Sequence, residues 1–249
     1  MILSLIKNTV VLAALVLVAS VLIVYYGDFK EAKNRKEMVI WADKNKIILN
    51  KENASIKEFK IEFDQNEWDK LKLKLDSARY FKKLDEKYVQ RHDYGFDPEY
   101  SEILVNYWKT NFDWKQKVDY LNKHQQFRLE TSDGVTIHYL RYTTNKHLNI
   151  KPVKLLMFDG WPGHFFGFYK MIDFIENIYN TKTFEIIVPS IPGYGYSTPL
   201  TRPLDAVDTA QYFDALMRYL FNDNNCQYFI HGVSFKNLIL KYFFISNYF

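Results

Sequence analysis

One cysteine, Cys226, in 249 residues forbids an intrachain disulfide and removes multi-thiolate zinc sites from consideration. Glycine is scarce, at 9 residues, which excludes collagen-like and glycine-rich low-complexity chains. A strong charge of one sign is also missing. Lys and Arg number 33 against 29 Asp and Glu, a net +4 with the signs interspersed, so no nucleic-acid partner is expected. No residue set calls for a metal or a cofactor, and none is expected. What is present is the profile of a folded chain: 48% hydrophobic and 25% charged residues exclude general disorder, and 18% aromatics supply bulky core side chains.

The longest uncharged run lies at the amino terminus. Thr9 to Tyr26 carries no charge, and as a helix it spans roughly 26 Å, close to the bilayer core. Tyr25 and Tyr26 close it where an interfacial aromatic belt would sit. The alternative is a cleaved signal peptide, with Lys7 as its basic region and Val18-Ala19-Ser20 as a cleavage site. The apolar run continues past that site, which favours an uncleaved anchor. Lys30, Lys33, Arg35 and Lys36 follow the span against Lys7 before it, an excess that predicts a cytosolic carboxyl-terminal body.

Residues 27–57 read as a juxtamembrane linker rich in Lys, Asn and Glu. Phe59 to Phe63 alternates like a strand. Asp64 caps a helix, with Glu67 three residues on and Trp68, Leu71, Leu75 and Ala78 at helical spacing as core. Asp97-Pro98 opens a second helix with Ile103, Leu104, Tyr107 and Trp108 on one side, and Asp113 to Leu121 continues as a third. After residue 125 the period changes. Phe127 to Glu130 and Ile137 to Tyr142 read as strands joined by the turn Ser132-Asp133-Gly134. Strands at Val153–Phe158, Phe184–Val188 and Tyr228–His231 then alternate with helices at Phe165–Ile178, Asp205–Leu220 and Asn237–Phe249. That alternation predicts an α/β fold with a parallel sheet and right-handed crossovers.

In such a sheet, ligands sit beyond the carboxyl ends of the strands. Three loops qualify, starting at Asp159, Pro189 and His231. In the first, Gly160 and Gly163 let backbone approach a ligand, Pro162 stiffens the turn, and the Trp161 amide could face a developing oxyanion. The same residues also suit an ordinary strand-to-helix turn. The third loop, Gly232-Val233-Ser234, resembles a nucleophile elbow with Ser234 at the exposed position.

Several short motifs stand in a telling order: Tyr94-Gly95-Phe96, Tyr107-Trp108, Asn111-Phe112-Asp113-Trp114-Lys115, Gly160-Trp161-Pro162-Gly163 and Pro189-Ser190-Ile191-Pro192-Gly193-Tyr194-Gly195-Tyr196-Ser197. On these the chain, from about residue 53 to 249, resembles the microsomal-type epoxide hydrolases, including insect juvenile hormone epoxide hydrolases. The resemblance implies a membrane-anchored α/β-hydrolase fold with a helical amino-terminal extension. It implies residence in the endoplasmic reticulum or microsomal membrane, and conversion of lipophilic epoxides to diols, as in hormone turnover and detoxification. The domain reading that follows is 1–26 anchor, 27–57 linker, 58–125 helical extension and 126–249 truncated hydrolase core.

In that family an elbow aspartate opens the epoxide and forms an enzyme ester. Lid tyrosines protonate the epoxide oxygen, and a His oriented by an acid activates water to cleave the ester. Carried over by position, the oxyanion amides belong to Trp161 and Phe235, and the nucleophile's place is Ser234. Tyr194 and Gly195 fall in the second site loop. The chain departs from the pattern: Ser234 replaces the aspartate, Lys236 replaces a small residue, Asp159 replaces the His of His-Gly-Trp-Pro, and the sequence stops at Phe249 before the lid, acid and His segments.

A serine attacking an epoxide carbon forms an ether, which offers water no carbonyl to attack. Serine also needs an adjacent base, whereas a carboxylate is a nucleophile unaided. The expectation is therefore a family member that does not turn over epoxides. The alternatives are a non-catalytic binder of a lipophilic epoxide or hormone-like molecule, or a fragment of a longer product. A serine esterase using His164 or His231 is disfavoured because neither follows Ser234 in the chain. Asp159 is expected to be solvated at the strand end, the alternative being that it accepts a hydrogen bond from loop amides; Cys226 is expected to be an exposed thiol, and Tyr194 and Tyr196 to pack. A truncated sheet would leave the last strand at an edge that a partner protein could cover.

Overall fold

The computed structural model describes residues 47–85, 87, 93, 95–160, 163–178, 181–199, 203–224 and 226–232. The expected anchor over 1–26 and most of the linker lie outside the described residues, as do 233–249. Among the described residues no helix is long and apolar enough to cross a membrane. Two compact units emerge: one takes in the residues up to Lys57 and those from Arg128, and the other spans Glu58–Phe127.

The larger unit is built on a six-stranded sheet. Its strands are β1 (Ala54–Phe59), β2 (Gln126–Thr131), β3 (Thr136–Thr143), β4 (Val153–Phe158), β5 (Phe184–Pro189) and β6 (Phe229–Gly232), in the order β1-β2-β3-β5-β4-β6. The sheet is mixed: the three strands of the strand–helix alternation are parallel as expected, and the expected all-parallel sheet is corrected only at β3. β5 runs parallel to β4, and β4 to β6, but β3 runs antiparallel to β5. The cause lies in two short connections. Thr131 and Val135 close a tight hairpin around Gly134 at φ +86°, so β3 leaves reversed from β2. The connection 144–152 holds only the 3₁₀ turn Lys146–Leu148 between Asn145 and Asn149, both in the left-handed region. A parallel crossover takes about a dozen residues, usually a helix, so none fits there. Side chains hold the antiparallel register: buried Glu185 on β5 accepts from Arg141 Nε at 2.5 Å and Thr143 Oγ1 at 2.7 Å, both on β3.

β4 and β5 read as nearly continuous apolar runs because helices cover both faces of the parallel half. Leu156, Met157, Phe158, Ile186, Ile187 and Val188 are fully buried. The crossover after β4 begins with a 3₁₀ turn (Phe165–Phe168). An α-helix follows over Tyr169–Ile178, and a longer one over Ala206–Phe221 connects β5 to β6. The latter starts at a capping box: Asp205 accepts from the Val207 and Asp208 amides at 2.7 and 2.9 Å, and Asp208 accepts from the Asp205 amide. Asp214 on this helix accepts from Tyr228 at 2.7 Å and pairs with Arg218 at 2.5 Å, pinning the entry to β6. β6 is the outermost described strand on its side of the order.

Among the described residues the unit Glu58–Phe127 holds three helices, α1 (Gln65–Asp76), α2 (Pro98–Asn111) and α3 (Trp114–Leu121), and in chain order the helices described in the larger unit become α4 (Tyr169–Ile178) and α5 (Ala206–Phe221). Asp64, Asp97 and Asp113 cap their first turns as expected. The core is small: Ile61, Trp68, Val118 and Leu121. One expectation is corrected. The strand lies at Ala54–Phe59 rather than Phe59–Phe63, because the backbone of Ile61 bonds to a side chain instead of a strand. Its N–H donates to Asn122 Oδ1 at 3.0 Å and its carbonyl accepts from Asn122 Nδ2 at 2.9 Å. The apolar side of α2 is not buried: Ile103, Leu104, Tyr107 and Trp108 all remain exposed.

Replacing Asp205 with Ala should lower stability by about 1 kcal/mol, while Asp205→Asn keeps most of it, as read from urea-unfolding midpoints of the purified chain.

Candidate active site

The strand order places the ends of β4, β5 and β6 side by side, and the loops leaving them carry the residues singled out above.

After β4, Asp159 is half-buried rather than solvated as expected. Its Oδ1 accepts from the Gly160 amide at 2.8 Å. Its Oδ2 lies so close to Gly163 and Gly167 that a Cβ on either would fall well inside van der Waals contact. Two glycines therefore form a cradle for this carboxylate, and the loop folds over it. Gly160 is buried and Gly163 half-buried, while Trp161 and Pro162 lie outside the described residues. His164 caps the 3₁₀ turn, its Nδ1 accepting from the Phe166 amide at 3.3 Å. With that nitrogen turned to the backbone, the ring holds the start of the turn.

After β5, the segment Ser190–Ser197 coils tightly and is held from β3. The Ser190 amide donates to the His138 carbonyl at 2.8 Å. The His138 amide donates to Ser197 Oγ at 3.0 Å, and Ser197 Oγ donates to the Ser190 carbonyl at 2.8 Å. The His138 ring meets Ser190 Oγ through Nδ1 at 2.9 Å. Gly193 and Gly195 adopt φ of +87° and +58°, and a Cβ on Gly195 would approach Ser190 Oγ to 2.7 Å. Tyr196 packs its ring against Phe165 and His138 as expected, but Tyr194 is 54% exposed, which corrects the expectation that it packs. The turn at Ile191–Tyr194 points it outward.

His138 is the residue that sequence reasoning passed over. It is fully buried, and its ring lies edge-on to Phe165 at 4.9 Å and Tyr196 at 5.4 Å, so one side chain ties together the loops of β4 and β5. Burial, with a smaller contribution from Arg128, pushes its pKa down to about 3. The available signal was its place in Thr136–Thr143, where alternation puts His138 on the same face as Thr136 and Leu140.

β6 ends at Gly232, and Val233, Ser234, Phe235 and Lys236 lie outside the described residues. His231 sets its ring edge-on to Phe168 at 6.0 Å. Cys226, expected to be exposed, is half-buried and accepts from Lys154 Nζ at 3.1 Å. Burial raises the thiol pKa, so it is a poor nucleophile. Among the described residues no group of His, Cys, Asp and Glu could hold a metal ion.

The family model for the epoxide hydrolase N terminus matches residues 56–168. Epoxide hydrolase 1 of Oryctolagus cuniculus is 35% identical over 173 residues, 67% of this chain and 37% of that protein. The chain belongs to the epoxide hydrolase family. Juvenile hormone epoxide hydrolase 1 of Ctenocephalides felis is 32% identical over 193 residues, 76% of this chain and 40% of the relative. Among solved structures, juvenile hormone epoxide hydrolase from the silkworm Bombyx mori matches with a TM-score of 0.65 at 29% identity, covering 80% of this chain and 50% of that one. The Aspergillus niger epoxide hydrolase matches at 0.62 and 26%, covering 77% and 48%. The mixed sheet is thus an α/β-hydrolase sheet. The chain spans about 40% of the length of these curated relatives.

The His138 network carries a pH signature. Its folded pKa lies below the ordinary value of 6.5, so between about 6.5 and 3 the unfolded chain binds the proton that the folded chain refuses. Stability should therefore be complete above pH 6.5 and fall as the pH drops towards 3. His138→Gln should flatten that part of a plot of urea midpoint against pH, and an unchanged slope would count against the assignment.

Proposed function

We propose that this chain keeps the loops and lipophilic-epoxide recognition of its family but does not turn epoxides over. One observation carries the proposal: residue 234, at the elbow of Gly232-Val233-Ser234-Phe235-Lys236, is a serine.

On this reading Trp161 and Phe235 supply backbone amides where an oxyanion would form, and Gly160, Pro162 and Gly163 shape the approach. In a relative with an elbow aspartate, those amides stabilise the tetrahedral intermediate formed as water attacks the ester carbonyl. A serine ether has no such carbonyl, so no intermediate forms for them to stabilise. Activation is weakened as well, because serine requires a base whereas a carboxylate attacks unaided. His164 Nδ1 receives the Phe166 amide, and His138 is buried against Ser190. The same facts weigh against a serine esterase.

The site's occupant is proposed to be a lipophilic epoxide or a hormone-like molecule, held without turnover. The uncharged run Thr9–Tyr26 is proposed as a single-pass anchor in the endoplasmic reticulum membrane, with the body cytosolic.

Two experiments test the reading. Purified chain incubated with excess cis-stilbene oxide should yield no diol above the buffer rate, measured by chromatography, and many diol molecules per chain would overturn the proposal. Separately, the full chain should stay in the membrane pellet of carbonate-washed microsomes, whereas a chain lacking 1–26 should appear in the supernatant. Retention of the shortened chain would remove the anchor from that run.

A further inference from the structure

The unit Glu58–Phe127 contains a cavity that the epoxide chemistry does not use. It measures about 670 Å³ and opens between the start of α1 and the end of α2, within the usual size of a ligand site. Five aromatic side chains line it: Trp68, Tyr107, Trp108, Phe112 and Trp114. Phe112 bridges two of them, with its centroid 6.3 Å from Trp68 and 6.1 Å from Trp114, the latter pair stacked. Tyr107 and Trp108 stay 60% and 41% exposed, although large rings are normally covered.

The charges around these rings are one-sided. Apart from Tyr107, every titratable residue of the lining is a carboxylate: Glu62, Asp64 and Glu67. A smaller groove of about 340 Å³ shares Trp68, Phe112 and Trp114 with this cavity and carries Lys72, Lys109 and Lys115, with Asp113. Lys72 Nζ already stands 5.4 Å from the Trp68 ring centroid, so that ring accepts a cation on its face.

We propose that the acid-rimmed cavity binds a lipophilic organic ammonium ion, a tertiary or quaternary amine carrying an apolar tail. Ring faces attract such a cation without needing a hydrogen bond, and the apolar tail is matched by the remaining aromatic surface. The carboxylates at the rim add attraction that a neutral ligand does not feel, and they repel an anion. Asp64 and Glu67 also serve α1. Asp64 caps it, and Glu67 pairs with Lys70 at 2.6 Å. Glu62 precedes the helix, so its charge is the sharper probe. The proposal is independent of the epoxide reading, because none of these residues belongs to the loops after β4, β5 or β6.

Benzyltrimethylammonium, titrated into the full chain, should quench tryptophan fluorescence saturably with one site. Neopentylbenzene, its neutral isostere, should bind about tenfold more weakly. Glu62→Gln and Trp108→Ala should each weaken the ammonium ion several-fold, and Lys115→Ala should leave it unchanged. If Trp108→Ala perturbs folding, as judged by circular dichroism, Glu62→Gln alone decides. Raised salt should weaken binding of the wild-type chain. Equal affinity for the two isosteres, no saturation, or indifference to Glu62→Gln would overturn the proposal. Preference for a lysine-rich peptide over the small ion would overturn it too, since the cavity would then dock a protein segment.

Discussion

A neutral imidazole, sealed between strand and loop, organises this molecule's candidate site. His138 sits on the antiparallel strand β3, yet its ring, amide and carbonyl all engage the segment that follows the parallel strand β5. The contacts require β3 to lie beside β5, so the hairpin at Gly134 and the short connection 144–152 act on the site from a distance. Protonation would place a charge in an apolar enclosure formed with Phe165 and Tyr196, and the low pKa expresses that cost. Ser190 and Ser197 complete the arrangement as small hydroxyls that can pack where the backbone turns sharply.

Some of this was legible in the residues. Caps at Asp64, Asp97, Asp113 and Asp205 are local events, set by a side chain and the two or three amides after it. The apolar runs of β4 and β5 mark their burial on both faces. The antiparallel pairing of β3 with β5 was not legible, because period-2 alternation is the same for parallel and antiparallel neighbours. Nor was the end of β1, where the side chain of Asn122 takes the place of a partner strand, 61 positions away. The cradle of Asp159 depends on two glycines brought over one carboxylate by the loop's own fold, and a linear reading sees only a charged residue at a strand end. Tyr194 was expected to pack, yet burial depends on what packs against it, and it stays exposed.

The elbow differs in kind from these features. A substitution of carboxylate by hydroxyl alters no hydrophobic pattern and no turn, so the family's fold can persist around it. What changes is the bond that would be left after attack: an ester is reversible by water, an ether is not. Family membership and the proposed loss of turnover are therefore compatible, and only the second depends on residue 234.

The most direct measurement follows the fate of a radiolabelled epoxide through a chase with unlabelled compound, then maps label to the peptide spanning Gly232–Lys236. The account predicts that no label leaves as diol and that any label on Ser234 survives hydroxylamine, as an ether does. Label released as diol during the chase, or freed by hydroxylamine as from an ester, would contradict it.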